Sequence, residues 1–101
     1  MYAQVIEGGT TPELRDRMNR IVTDELIPSL EGEPGYAGAL NLADNDSGEA
    51  LMVVFWETEA QAARDLQHYG QAFLRALAQI IAISTGQRKP ISVWQVNART
   101  S

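Results

Sequence analysis

The chain contains no cysteine, which removes disulfides, thiolate metal sites and a thiol nucleophile from consideration. It has one histidine, His68, so no imidazole cluster suggests zinc, and no metal is expected. Long apolar runs are also missing; none approaches the ~20 residues that a membrane-spanning helix needs. The first residues, Met1 to Glu7, lack the basic start and apolar core of a signal peptide, so a soluble cytoplasmic protein without membrane partners is expected. Positive charge is scarce: eight Lys and Arg face thirteen Asp and Glu, for a net charge of -5. The basic residues form no stripe, which argues against nucleic acid as a partner. Gly8-Gly9 lacks the spaced glycines and the lysine of a phosphate loop. Asp44 and Asp46 lie in a turn without the ligand series of a calcium loop, and no nucleophile-elbow pattern surrounds a serine.

What is present is a globular pattern. The 101 residues are 45% hydrophobic and 21% charged, as expected of a single domain spanning 1–101. Tyr2 to Glu7 reads as a strand ended by Gly8-Gly9. Thr10-Thr11-Pro12-Glu13 then signals a helix start, followed by Leu14, Met18, Ile21, Val22 and Leu26 at helical spacing. Pro28 and Gly32-Glu33-Pro34-Gly35 are expected to end it. Tyr36 to Ala43 forms a second strand, alternating Tyr36, Gly38, Leu40 and Leu42 against Ala37, Ala39, Asn41 and Ala43. The turn Asp44-Asn45-Asp46-Ser47-Gly48 leads into a third strand from about Glu49 to Glu57. Thr58-Glu59-Ala60-Gln61 is a capping box, and the helix it opens is expected to break at Gly70. Ser84 to Pro90 reads as a loop, Ile91 to Asn97 as the last strand, and the closing Ala98 to Ser101 as frayed.

The order is β-α-β-β-α-β, the split pattern of an α+β, ferredoxin-like fold: a four-stranded antiparallel sheet with two helices on one face. The third strand is apolar on both sides. Leu51, Val53 and Phe55 point one way, and Met52, Val54 and Trp56 the other. Leaving three such side chains in water would forfeit roughly 1.5–3 kcal/mol each, against a net stability of about 5–15 kcal/mol for a small domain. The helices cover one side. A second copy of the chain, packed sheet face to sheet face, is expected to cover the other.

Glu33-Pro34-Gly35-Tyr36, the Ser47-Gly48-Glu49 turn and the run Val53-Val54-Phe55-Trp56-Glu57-Thr58-Glu59-Ala60 carry a family likeness. They resemble the dimeric α+β barrel superfamily, and within it the antibiotic-biosynthesis-monooxygenase-like group. The resemblance implies a homodimer with a cavity between sheet and helices, a small apolar or aromatic ligand, and no cofactor. The activities it implies are varied: cofactor-independent oxygenation of an aromatic or phenolic substrate, isomerisation or cyclisation by proton transfer, or ligand binding without chemistry, as in a stress-related accessory protein. Haem breakdown fits the resemblance less well. The haem-degrading pattern has Asn where this chain has Gln4 and Trp near Asp65, and its haem-ligating histidine lies away from His68.

Candidate site residues follow, each with a plainer structural reading beside it. His68 is the one residue of the type suited to proton transfer near neutral pH, and it could serve as base toward a phenol. Tyr69 beside it could orient the substrate; both could equally face solvent. Trp56 could line a ligand pocket or plug the end of the barrel. Phe73 and Leu77 on the second helix, with Met18 and Val22 on the first, form a stripe that suits core and pocket wall alike. Tyr36, Asn41 and Trp94 are further candidates with packing or hydrogen-bonding roles as alternatives.

Overall fold

The computed structural model describes residues 1–44, 46–86 and 89–100. Four strands, β1 (Tyr2–Gly9), β2 (Tyr36–Ala43), β3 (Glu49–Trp56) and β4 (Ser92–Gln95), form one sheet in the order β2-β3-β1-β4. Every neighbouring pair is antiparallel. This is the α+β, ferredoxin-like architecture expected from the element order. No helix among the described residues is long and apolar enough to cross a membrane.

The first crossover is a continuous helical run, α1 (residues 12–30). It starts as a tight turn at Pro12–Leu14, becomes α-helical at Arg15–Ile21, widens at Val22–Leu26 and closes at Ile27–Leu30. Pro28 was expected to end it, yet the helix runs on to Leu30. The widened turn explains the difference. Proline fits a helix interior only where its missing N–H and its ring are accommodated, and the five-residue spacing supplies that room, with the Ile27 N–H donating to the Val22 carbonyl. Ser29 Oγ donates to the Leu26 carbonyl at 2.6 Å and helps close the end.

The second crossover is broken in two places. Thr58 and Gln61 complete the expected capping box: Gln61 N–H donates to Thr58 Oγ1 at 3.2 Å, and Thr58 N–H to Gln61 Oε1 at 3.0 Å. The helix they open, α2 (Glu59–Ala62), is a single turn. A tight turn at Leu66–Tyr69 follows, with Asp65 accepting from Gln67 N–H, and then α3 (Gln71–Ile83). Gly70 marks the second break, as expected, at φ 88° and ψ -176°, a conformation open essentially to glycine alone.

Three strand details depart from the sequence reading. Gly8-Gly9 does not end β1; both pair onward, with Ala50 and Glu49. The simple alternation of β2 fails because of a bulge: Tyr36 pairs with Trp56 but Ala39 with Val54, so two residues, Ala37 and Gly38, oppose Phe55 alone. Gly38 occupies the bulge at φ 116°. Tyr36 therefore shares the helix-covered side with Ala39 and Asn41, while Leu40 and Leu42 keep the opposite side. The last strand is shorter than expected, Ser92–Gln95, although Val96 N–H still donates to the Met1 carbonyl. Nor is Arg99 frayed, since its guanidinium stacks 4.3 Å from the Phe55 ring centre and donates to the Ala37 carbonyl. Of the expected turns, Asn45, Gln87, Arg88 and Ser101 lie outside the described residues. In the β2–β3 turn, Asp44 Oδ1 accepts from the N–H groups of Asp46 and Ser47, and these bonds hold its carboxyl below the usual range.

The two faces of the sheet differ as the third strand required. Met52, Val54 and Trp56 are buried beneath α1 and α3 with Met18, Ile21, Val22, Leu26, Phe73 and Ala76. The opposite face carries Leu40, Leu42, Leu51, Val53, Phe55 and Trp94, with no helix over it. Leu40 and Leu42 are each 47% exposed and Trp94 is 62% exposed.

Candidate active site

The space between sheet and helices has two distinct ends. At one end β3 finishes in Trp56, which is fully buried. Its indole Nε1–H donates to Gln4 Oε1 at 3.2 Å, so the one polar atom of the ring is satisfied inside the core. Tyr69 stacks on the indole at 5.5 Å and 13°, Tyr36 meets it edge-on at 6.1 Å, and Phe73 packs edge-on against Tyr69 at 5.1 Å. The capping box and the Gly70 break hold Tyr69 in this stack, because they let the chain fold a turn over the end of β3. Tyr69 Oη donates to the Gln61 carbonyl at 3.4 Å. Burial pushes its phenol above the ordinary range, against the opposing pull of the Arg64 charge and the Gln4 amide. Burial, reinforced by Glu31, likewise raises Tyr36. Both phenols are thus hydrogen-bond donors at neutral pH.

His68 turns outward from this cluster, with its side chain 53% exposed and Nε2 4.0 Å from Glu33 Oε2. Arg64 approaches the same carboxylate oxygen at 3.8 Å. The ring of His68 meets Tyr69 edge-on at 6.0 Å. The structure therefore brings His68 and Tyr69 together but gives them different surroundings, water for one and aromatic rings for the other.

At the other end lies a cavity of about 320 Å³ between the sheet and the two long helices. Met18, Val22 and Leu26 from α1 form one wall, Leu77, Ile80 and Ile81 from α3 another, and Ile6 and Met52 the floor. Polar groups stand at its margin: Asn41 on β2, Ser84 and Thr85 after α3, and the ion pair of Lys89 with Glu7 at 3.6 Å. Of the expected pocket residues, Met18, Val22 and Leu77 line this cavity, whereas Trp56 and Phe73 belong to the aromatic cluster, as does Tyr69, expected as an orienting group. Trp56 and Met52 are four residues apart on one strand, about 13 Å, and Val54 between them is fully buried. A wider concavity of about 590 Å³ opens beside the cavity, around the β2–β3 turn, and is edged by Asp44, Ser47 and Gly48. Among the described residues no group of three or more acidic, histidine or cysteine side chains could hold a metal ion.

Ile6, Met52 and Lys89 were not among the site residues expected from the sequence. Ile6 and Met52 sit opposite each other in the β1–β3 register and so share the floor. Strand alternation shows the face on which each lies, but only the pairing register joins them.

No protein-family model matches the chain, and no curated protein matches it by sequence. Solved structures do match. A putative antibiotic biosynthesis monooxygenase from Nitrosomonas europaea superposes with a TM-score of 0.76 at 14% identity, over 99% of this chain and 93% of that one. Rv0793 from Mycobacterium tuberculosis gives 0.71 at 15% identity, over 99% and 98%. SnoaB, a cofactor-independent oxygenase from Streptomyces nogalater, gives 0.66 at 14% identity, over 99% and 95%. The chain has the fold of the antibiotic-biosynthesis-monooxygenase-like proteins. At these identities the likeness extends to the backbone path and not to side-chain chemistry, so an activity has to be argued from the cavity itself.

Proposed function

We propose that the protein is a cytoplasmic homodimer that takes a small, largely apolar aromatic molecule into the cavity and oxygenates it without a cofactor. The observation that carries this reading is the apolar cavity between sheet and helices, with its polar groups confined to the margin. That distribution suits a flat ring system whose oxygen functions reach the rim. Its volume falls near the lower end of the ~300–1,000 Å³ typical of ligand pockets, which favours two or three fused rings. The fold shared with SnoaB supports oxygenation as the chemistry.

For an anthrone the reaction would begin with loss of a proton from the ring carbon opposite the carbonyl. The resulting anion passes an electron to dioxygen, a carbon–oxygen bond forms, and the hydroperoxide loses water to leave the quinone. One molecule of oxygen is consumed, with one atom ending in product and one in water. The apolar walls would keep water from quenching the anion and hold it in place. Neither His68 nor Tyr69 lines the cavity, so the proton-accepting and orienting roles expected of them are proposed only for a ligand that reaches the aromatic end of the groove.

The position of His68 favours a second reading, that of a binding protein without chemistry, because its imidazole faces solvent rather than the cavity. Oxygen uptake with a panel of anthrones and quinols separates the two. The oxygenase reading predicts stoichiometric uptake above the spontaneous rate, with a loss of at least tenfold in His68→Ala where the ligand extends to the aromatic end. Turnover unchanged in both His68→Ala and Tyr69→Phe would remove these residues from the mechanism, and no uptake by the native protein would remove the oxygenase.

A further inference from the structure

Among the described residues lining the cavity, Asn41 is the one carboxamide. It lies on the edge strand β2, in the same cross-strand row as Met52 and Ile6, which form the apolar floor. Its Nδ2–H donates to Asn19 Oδ1 on α1 at 3.1 Å, so two carboxamides meet across the open side of the cavity, between β2 and the first helix. That bond uses one donor of Asn41 and one acceptor of Asn19. The Asn41 carbonyl oxygen and second N–H, and the Asn19 amide group, remain as hydrogen-bonding capacity. The charged pair at the margin is differently placed. Lys89 and Glu7 engage each other on the β1 side, two strand spacings from β2, or about 10 Å.

We propose that the Asn41 amide, steadied by Asn19, is the specificity-determining group of the cavity. It selects fused-ring aromatic molecules that carry a hydroxyl or keto oxygen on the edge facing β2. This inference rests on the ligand-binding reading above and adds the residue that recognises the ligand's oxygen function. A carboxamide offers a donor and an acceptor side by side, so it pairs with a phenol or a ketone and gives nothing to a bare hydrocarbon edge. An apolar ligand edge placed there would strip water from the amide without replacing its bonds, whereas an oxygen function restores them. The span of about 10 Å from β2 to β1 matches the long axis of a bicyclic or tricyclic ring system.

Binding of naphthalene and 2-naphthol, measured by calorimetry, tests the assignment. These probes share a ring body and differ in one oxygen. The native protein is expected to prefer 2-naphthol by about tenfold, or about 1.4 kcal/mol. Asn41→Ala and Asn41→Leu should each abolish that preference, with naphthalene bound no more weakly than by the native protein. Asn41 is exposed, so both variants should fold. Binding of both probes without a preference, or a preference retained in both variants, would overturn the role of Asn41 and leave the cavity reading standing. Binding of neither probe would overturn the cavity reading along with it.

Discussion

At the residue scale, the most constrained contact is between Gln4 and Trp56. Gln4 is a polar side chain in the centre of a strand, only 2% exposed, and its oxygen accepts from the indole. Such a group is tolerated because its bond is made, and removing one partner strands the other. Gln4→Leu is therefore expected to cost about 1–3 kcal/mol in urea denaturation by leaving the indole N–H unpaired. Trp56→Phe should cost more, about 3 kcal/mol or above, because part of the aromatic stack goes with the hydrogen bond. The double variant should be less destabilised than the sum of the two singles, since neither unpaired atom then remains. A strictly additive result would show that the bond contributes nothing specific. Position 4 was noted in the sequence for its departure from the haem-degrading pattern. Its role as partner to Trp56 could not be read there, because the two residues are joined only through the β1–β3 register and the rotamer of the indole.

At the scale of the element, the chain following β3 is shaped by local signals that the sequence shows plainly. Thr58 and Gln61 cap α2 as their spacing requires, and Gly70 interrupts the helix. Gly70 has open space around its missing side chain, so the constraint there is one of backbone conformation alone. Gly70→Ala is expected to cost about 1–3 kcal/mol, read as a lower urea midpoint with an unchanged slope. A neutral result would mean that the turn over Trp56 readjusts freely. Two elements were less legible for a physical reason. Proline is a local stop signal, but the widened turn that accommodates Pro28 depends on the packing of α1 against the rest of the core. The bulge in β2 depends on matching two strands of unequal residue count, and no single strand displays that. Its consequence is large: Tyr36 moves from the face of Leu40 and Leu42 to the face of Trp56.

At the scale of the whole molecule, the architecture was legible because the hydrophobic pattern of β3 demanded cover on both sides and the element order supplied it on one. The exposed face of Leu40, Leu42, Leu51, Val53, Phe55 and Trp94 is the surface through which we expect two copies to join. Sedimentation at micromolar concentration should give a dimer, and Leu42→Asp with Val53→Lys should give a folded monomer with unchanged far-ultraviolet circular dichroism. A native protein that sediments as a monomer would rule out the homodimer. The candidate site was only half legible. The helical stripe gave Met18, Val22 and Leu77, all of them cavity wall, but helical periodicity could not show how far along the groove the open space lies.

The aromatic cluster and the cavity occupy opposite ends of one groove, with Val54 as the divide. Anchorage and capacity are thereby assigned to different residues. An exchange at Leu77, which lines the chamber without being fully buried, would reshape it while the Trp56 keystone stays in place, so the frame would outlast a change in the shape of the space it encloses.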